Sequence, residues 1–591
     1  VTKRRLSAWQ AQVLVDLHAV TEAFPEDVEV VGSYRLDRSG LMRLRLRLRT
    51  ADIPRIPTGL PLGKHEEFLV SVDVSGLTPP RAEVDHLRFL HHAHVLQGHR
   101  LCLYLDPSRE WDPIHGFGGF IDRLFNWLSD AASGRFDAHT ALYHAVGGVL
   151  HPASGGPTVV VRDMIPSHRR ACHGRLVTRS PHRLDLSLTL PAASQPIDHV
   201  PVIQLDSDLP FGAGIDFKTF LQTVDNPYHG HAGPDGALPN SLGPKLSPAV
   251  LTVLGASAIR KANGRPQQLI IAVPHPAGGP PHLLAANIPA TGADQLRALV
   301  TSSRKASSMI NVSAADIDPN TPLEWWPVSD EREEVTTRRD SARPVAAYAG
   351  KTVHIWGCGG LGSWMAEYVV RAGAKKVLLC DPGTISRGLL VRQNFIEADV
   401  GNTKVEALAQ RLRAISDAVE VVVRNTPIPD LQDLADADLI IDATVSIAIS
   451  RFLDSIAATQ EERPVFAQVA TDARTGTLGI MTVSKPPLRL GPLAIDRGVG
   501  AQISHDGTSE AFHPLWKPLA SDDEVIPTRG CSTPTFHGSS ADLAAVAASL
   551  TSILGTHLGA ETAVSGTHLI SMPHGEAGPL RKFIPAPPPV G

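Results

Sequence analysis

The 591-residue chain has only five cysteines. None belongs to a Cys-x-x-Cys pair, which argues against a disulfide framework and a structural zinc site. No apolar run approaches the ~18 residues of a membrane-spanning helix. The opening Val1-Thr-Lys-Arg-Arg-Leu6 lacks the apolar stretch that follows in a secretory signal. The expectation is a cytoplasmic protein without a membrane partner. Positive charge is not in surplus: 55 Lys and Arg face 60 Asp and Glu, a formal net charge of −5. That balance argues against general nucleic-acid binding. Met42-Arg-Leu-Arg-Leu-Arg-Leu-Arg49 breaks the pattern, but its strict alternation reads as a strand with one solvated face. No internal repeat is visible. What remains is ordinary folded composition, 43% hydrophobic and 19% charged, over a length that fits roughly two to four domains.

Residues 6–24 have helical apolar spacing. Strand candidates follow at 28–34, 41–49 and 68–74. Pro79-Pro80 interrupts them, a His-rich loop covers 87–102, and an amphipathic helix is predicted over 117–129. Residues 1–150 therefore read as an α+β domain. Residues 151–340 show strands at 158–161 and 269–273, a helix over 248–262, and a loop rich in Pro, Gly, Asp and His around 206–245. With no motif that carries chemistry, this stretch reads as a middle linker domain. The charged run 329–341 is expected to hold a boundary and a lead-in helix. Residues 341–591 form a βαβ series with strands at 353–356, 377–380, 419–423, 439–442 and 465–468. That is a Rossmann-like α/β domain with a parallel sheet covered on both faces, ending in a flexible tail at 585–591.

The chemistry begins at Lys351-Thr-Val-His-Ile-Trp-Gly-Cys-Gly-Gly-Leu-Gly-Ser363. A strand runs into Gly357, Gly359, Gly360 and Gly362, and a helix opens behind them. The next strand delivers Asp381. Such a unit holds nucleotide phosphates on backbone N–H groups and a ribose on the acid. NAD, FAD and ATP binders share it. Arg392, Gln393, Asn394 and Lys404 follow, and a cluster of cations suits the pyrophosphate released when ATP is cut after its α-phosphate. Asp442 ends a later strand, facing the crevice of such a sheet, where it can sit on Mg²⁺ or near an acyl-phosphate.

Gly357-x-Gly-Gly-x-Gly362-Ser, Asp381, Leu389-Leu-Val-Arg-Gln393, Asp399-Val-Gly-Asn-Thr-Lys404 and Asp442 together resemble the ThiF/MoeB/E1 superfamily. Its members adenylate the C-terminal glycine of a ubiquitin-like protein. Leu389 stands where the family usually has Asn, and the family's zinc cysteines are absent. The resemblance implies bound ATP and Mg²⁺, paired adenylation domains in a homodimer, and an arginine before the first strand, here Arg338 or Arg339, lent to the phosphates.

Near the N-terminus, His92-Ala-His94-Val-Leu-Gln-Gly98-His-Arg-Leu-Cys102 is followed by Glu110-Trp-Asp-Pro113. This layout resembles the E2 ubiquitin-conjugating enzymes, whose His-Pro-Asn, glycine, catalytic cysteine and Trp-x-Pro stand at these spacings. Ala93 replaces the Pro and His94 the Asn; His94 is a candidate donor to an oxyanion. A zinc site from His92, His94, His99 and Cys102 matches no common ligand spacing.

Cys358 and Cys380 lie in the glycine turn and a strand, and Cys172 in the middle domain. Cys531, in Thr528-Arg-Gly-Cys-Ser-Thr533, is the remaining candidate for an E1 thioester, with Arg529 beside it to favour the thiolate. The whole order resembles E1–E2 fusion conjugating enzymes of bacterial anti-phage operons, including those of CBASS. That resemblance implies a protein substrate with a C-terminal glycine, a ubiquitin-like protein or a cGAS-like nucleotidyltransferase, joined to an acceptor amine such as a lysine. Cys531 and Cys102 would carry the acyl group, with Arg392 and Lys404 stabilising pyrophosphate and His92 and His94 flanking Cys102. A sulfur-carrier adenylyltransferase and an NAD-dependent Rossmann protein are the alternatives.

Overall fold

The computed structural model describes residues 5–86, 88–89, 92, 94–95, 100–136, 156–165, 171–189, 197–205, 216–225, 247–274, 279–306, 318, 320–336, 338–517 and 538–587. They fall into two compact units, Val1–Thr337 and Arg338–Gly591.

The first unit opens with helix α1 (Ala8–Ala23), started by a capping box between Ser7 and Gln10. Strands β1 (Val28–Val30), β2 (Arg35–Leu36), β3 (Met42–Arg49), β4 (His65–Val72) and β5 (Arg81–Val84) follow, then a short helix α2 (Pro107–Glu110) and α3 (Gly116–Ala132). The sheet order is β1-β3-β4-β5, with β2 on β3, and every pairing is antiparallel. The strand expected over 28–34 ends early, and Gly32 behind it has φ +76°. In β3, Met42, Leu44, Leu46 and Leu48 are buried. The intervening arginines face out, and Arg47 bridges Glu29 at 2.7 Å and Glu67 at 2.6 Å. The arginine run is thus a neutralised sheet face.

The middle of the chain was the least legible. Beyond β6 (Thr158–Val161) it contains β7 (Ala171–Ser180), β8 (Arg183–Ser187), β9 (Ile197–Gln204), α4 (Phe217–Asp225), α5 (Ser247–Ala258), β10 (Gln267–Val273), β11 (His282–Ile288), α6 (Ala290–Ala306), β12 (Glu324–Trp326) and β13 (Val328–Asp330). The strands form one sheet in the order β12-β11-β10-β9-β7-β8-β6-β13. Two parts of the sequence reading are corrected. Phe217–Asp225, expected as loop, is a helix. The charged run at 329–341 holds no helix among its described residues; its first residues belong to β13, which pairs with β6.

The second unit carries β14 (Thr352–Trp356), α7 (Gly362–Arg371), β15 (Lys376–Cys380), α8 (Lys404–Ile415), β16 (Glu420–Arg424), β17 (Leu439–Asp442), α9 (Ile447–Thr459), β18 (Val465–Thr471), β19 (Leu478–Ser484), α10 (Pro492–Ile503), α11 (Ser540–Gly559), β20 (Gly566–Ser571) and β21 (Leu580–Pro585). The order is β16-β15-β14-β17-β18-β19-β20-β21. The first five strands are parallel and the last three are added antiparallel. The expected parallel sheet is therefore mixed, and Pro585, assigned to the tail, ends a strand. Helix α11 is long and apolar enough to cross a membrane. The sequence reading missed this, yet its Leu543, Val546, Leu550 and Leu554 are buried in the core, where the helix packs against α7, β18 and β19.

Candidate functional site

In the second unit the chain runs from β14 outwards to β15 and β16, then returns to β17 on the other side of β14. The order reverses between β14 and β17, where Trp356 lies in register with Asp442. Ligands of open α/β sheets bind at the strand C-termini of such a reversal. Gly357 leaves β14 there with φ +85°, its N–H donating to the Cys380 carbonyl at 2.8 Å. A Cβ on Gly357 would lie 2.9 Å from the backbone of Ala443 and Thr444, and one on Gly362 would lie 1.9 Å from the Gly357 carbonyl oxygen. These glycines are required by packing. Gly359 and Gly360 leave their N–H groups without a protein acceptor among the described residues, as an anion cradle requires.

Asp381, at the end of β15, is joined to this turn. Its Oδ2 accepts the Cys358 N–H at 2.8 Å and its Oδ1 the Gly383 N–H at 2.6 Å. Lys404 opens α8, and its Nζ lies 3.6 Å from Asp381 Oδ2. Arg392, Gln393 and Asn394 are buried beside the turn. Burial lowers the Arg392 pKa. Gln393 Oε1 is enclosed without a partner, an acceptor left for a ligand donor. Asn394 is turned to support: its Nδ2 donates to Glu367 Oε2 at 2.7 Å and its N–H to Ser363 Oγ at 3.1 Å. Ser363 Oγ donates in turn to the Gly359 carbonyl at 2.6 Å.

Asp442 is fully buried. Its Oδ1 accepts the Thr444 N–H at 3.0 Å and hydroxyl at 2.6 Å, and its Oδ2 has no partner. Burial pushes this carboxyl up, and an enclosed oxygen of this kind suits a cation. Val445, just beyond, has φ +56° and is 72% exposed. A β-branched residue held there stores on the order of 1–3 kcal/mol of strain. Arg339 is exposed on the approach to β14.

In the first unit, the Cys102 N–H donates to the His94 carbonyl at 2.8 Å, and Sγ lies 3.5 Å from the Tyr104 carbonyl. His94 has φ +64°, and its buried ring meets Phe136 edge-on at 4.8 Å. Its main chain thus supports Cys102 while its imidazole packs in the core. His92, two residues earlier, is half-buried. Burial pushes the Cys102 thiol up, against the pull of Arg100 and Arg123 and with the help of Glu110. Arg123 fixes the following residues: Nε donates to the Leu103 carbonyl at 2.6 Å, Nη2 pairs with Glu110 at 3.3 Å, and the guanidinium lies 5.5 Å from the Tyr104 ring centre. Trp111 donates to the Gly76 carbonyl at 2.7 Å. Cys102 is a half-buried thiol on a loop braced from two sides.

Of the other cysteines, Cys358 is driven well up by burial and the nearby Asp381, and burial pushes Cys380 up to about 12. Both are poor nucleophiles. Cys531 and His99 lie outside the described residues. Among the described residues no cluster of three or more His, Cys, Asp or Glu could hold a metal ion. Sequence reasoning missed Glu367 and Arg123, and it quoted Ser363 and Glu110 within motifs without giving either a role. Glu367 carried one usable sign, an acid on the inner face of the helix behind the glycine turn.

Three family models match in sequence: the prokaryotic E2 family A over residues 11–146, the Cap2 central linker domain over 191–331, and the ThiF family over 348–489. The molybdopterin-synthase adenylyltransferase of Escherichia coli (strain K12) is 32% identical over 107 residues, 17% of this chain and 43% of that protein. The adenylyltransferase and sulfurtransferase MOCS3 of Bos taurus is 33% identical over 126 residues, 21% of this chain and 28% of that protein. Ubiquitin-like modifier-activating enzyme 5 of Drosophila ananassae is 28% identical over 125 residues, 21% and 30% of the two chains. The chain thus spans less than half the length of these relatives. The crystal structure of E. coli MccB with ATP aligns at 16% identity and a TM-score of 0.30, covering 42% of this chain and 68% of that one. The chain is an E2–linker–E1 fusion, in which a prokaryotic E2 family A domain, a Cap2 central linker domain and a ThiF family domain follow one another.

Proposed function

We propose that this chain activates the C-terminal glycine of a partner protein with ATP and transfers it to an amine. The observation that carries the reading is the convergence of the open glycine turn, Asp381 and Lys404 at one sheet reversal. ATP is the substrate held there, with its ribose on Asp381 and its phosphates on the Gly359 and Gly360 N–H groups. The partner's C-terminal carboxylate attacks the α-phosphorus, and the bond to the departing pyrophosphate breaks. Lys404 and Arg392 meet the charge that develops on that leaving group. Asp442 and its unpartnered oxygen are the fitting place for Mg²⁺, which supplies electrostatic stabilisation to the phosphates.

The thiolate of Cys531 then attacks the acyl carbon and releases AMP. The Cys102 thiolate displaces Cys531, and an acceptor amine, such as a lysine, displaces Cys102. Each exchange keeps the acyl group activated. Bacterial anti-phage defence of the CBASS type, with a cGAS-like nucleotidyltransferase as the conjugated protein, is the setting that the Cap2 linker match favours; a ubiquitin-like protein is the second substrate class. Domains 1–150, 151–340 and 341–591 are assigned to transfer, linkage and activation, and a homodimer through the last of them completes the reading.

Pyrophosphate exchange into ATP tests the activation step. We expect exchange that depends on a peptide ending in glycine and is abolished by Lys404→Ala. Exchange that survives that substitution unchanged rejects the site, and hydride transfer to a nicotinamide would replace the reading altogether.

A further inference from the structure

In the middle sheet β7 and β9 are antiparallel neighbours, with Ala171 opposite Ile203, His173 opposite Pro201 and Arg175 opposite His199. Residues two apart on a strand share a face. This face bears the helices, because Ala171 and Ile203 pack into the core with α4 and α5. Helix α5 stops at Ala258, where Ser257 Oγ donates to the His199 carbonyl at 3.0 Å. Arg260 follows the stop. Beyond it His173 and Arg260 are exposed and Arg175 and His199 half-buried.

Four basic side chains therefore collect at the helix end. They act on one another: both imidazoles sit below their ordinary value, through burial first and then Arg260 and Arg175, with His173 and Lys261 adding to the effect on His199. Lys261 donates its ammonium to Gln268 Oε1 at 2.6 Å and the Pro266 carbonyl at 3.3 Å. Arg175 donates to the Thr189 carbonyl at 3.3 Å, and neither it nor Arg260 has a carboxylate partner among the described residues. Asp198 belongs to the opposite face by alternation and lies 3.3 Å from Arg265. In a chain of net charge −5 this is a local cationic surplus.

We propose that this strip docks an extended acidic segment of a protein partner. The spacing identifies the source of the negative charge. His173 and Arg175 lie roughly 7 Å apart along one strand, and the basic groups are strung across two strands and a helix end instead of closing on one point. Alternate side chains of an extended segment repeat at the same interval, so Asp or Glu at every second position meets successive cations. A single phosphate would reach only part of the strip. An arriving carboxylate also favours the charged imidazoles, so binding tightens as pH falls. The proposal is independent of the ATP chemistry.

The test is fluorescence anisotropy of a labelled Glu-Ser repeat peptide titrated with the full chain. Saturable binding is expected to weaken about tenfold or more in Arg175→Gln/Arg260→Gln and to fall steeply with salt. It is expected to strengthen severalfold as pH falls through the imidazole range in the parent chain, and not in His173→Gln/His199→Gln. Arg175→Glu/Arg260→Glu should prefer a Lys-Ser repeat, a gain that misfolding cannot imitate. No binding to the parent chain, or equal binding to the arginine variants, overturns the proposal. So does complete displacement by millimolar inorganic phosphate, which would make the strip a phosphate site.

Discussion

Asp381 sits where two tasks meet. It is the acid that ends β15, and it also ties the Cys358 N–H to the end of that strand. Asp381→Ala is expected to weaken ATP binding by about 1.5–3 kcal/mol, the usual worth of a hydrogen bond to a charged group. A calorimetric titration with ATP checks this, and unchanged affinity removes the ribose role. Cys102 offers a second measurement at this scale. Because burial raises its thiol above the ordinary value, little thiolate exists at neutral pH. Its alkylation rate should still be climbing where a free thiol has levelled off. Glu110→Gln removes the charge that raises the thiol further and should move the rate profile to lower pH. Peptide mapping after timed iodoacetamide labelling reads both; coincident profiles contradict the assignment.

Among the elements, α7, α8 and the loop before α8 are joined at Glu367. Burial opposes its charge, but hydrogen bonds from Asn394, Arg411 and Arg371 outweigh that and hold its carboxyl below the usual range. Asn394 reaches it at 2.7 Å, Arg411 at 2.8 Å and Arg371 at 2.9 Å. Glu367→Ala takes the acceptor from the buried Asn394 amide, while the more exposed Arg371 and Arg411 turn to water, and should cost about 1–3 kcal/mol in urea unfolding. Since the folded carboxyl is the stronger acid, its contribution is present above the ordinary glutamate range and is lost as pH falls through the depressed folded value. The difference between parent and variant should shrink in that direction, and a difference that grows on acidification contradicts the network.

The same elements show what the sequence could disclose. Short apolar runs marked β14, β15 and β17 almost to the residue, because buried parallel strands have one unambiguous composition. The glycine turn and Asp381 were legible for the same reason: close packing tolerates little else there. The middle sheet was not. Strands such as β7, with Arg175 and Arg179 among exposed and half-buried positions, are selected by cross-strand partners that no local window contains. Asn394 was legible as a position but not as a role, since its amide is directed by Glu367 from a different helix.

For the whole molecule, the relay predicts an ordered dependence between distant parts of the chain. Cys531→Ala should still exchange pyrophosphate but form no thiol-sensitive adduct on either cysteine. Cys102→Ala should accumulate one adduct that is not passed on. Non-reducing gels of the full chain with ATP and a partner ending in glycine resolve the two cases. An adduct on Cys102 in the Cys531 variant reverses or removes the first thioester.

The coupling of Asp381 to the glycine turn limits how such a site can diverge. In the proposed reading, the carboxylate that ties down the glycine turn through Cys358 is also the one that would hold the sugar, so the two specificities would not be separable modules. A lineage that replaced this acid to accept a different sugar would also loosen the cradle. Substrate preference is then freer to drift at the base end of the nucleotide and in the protein to be activated than at the centre of the site.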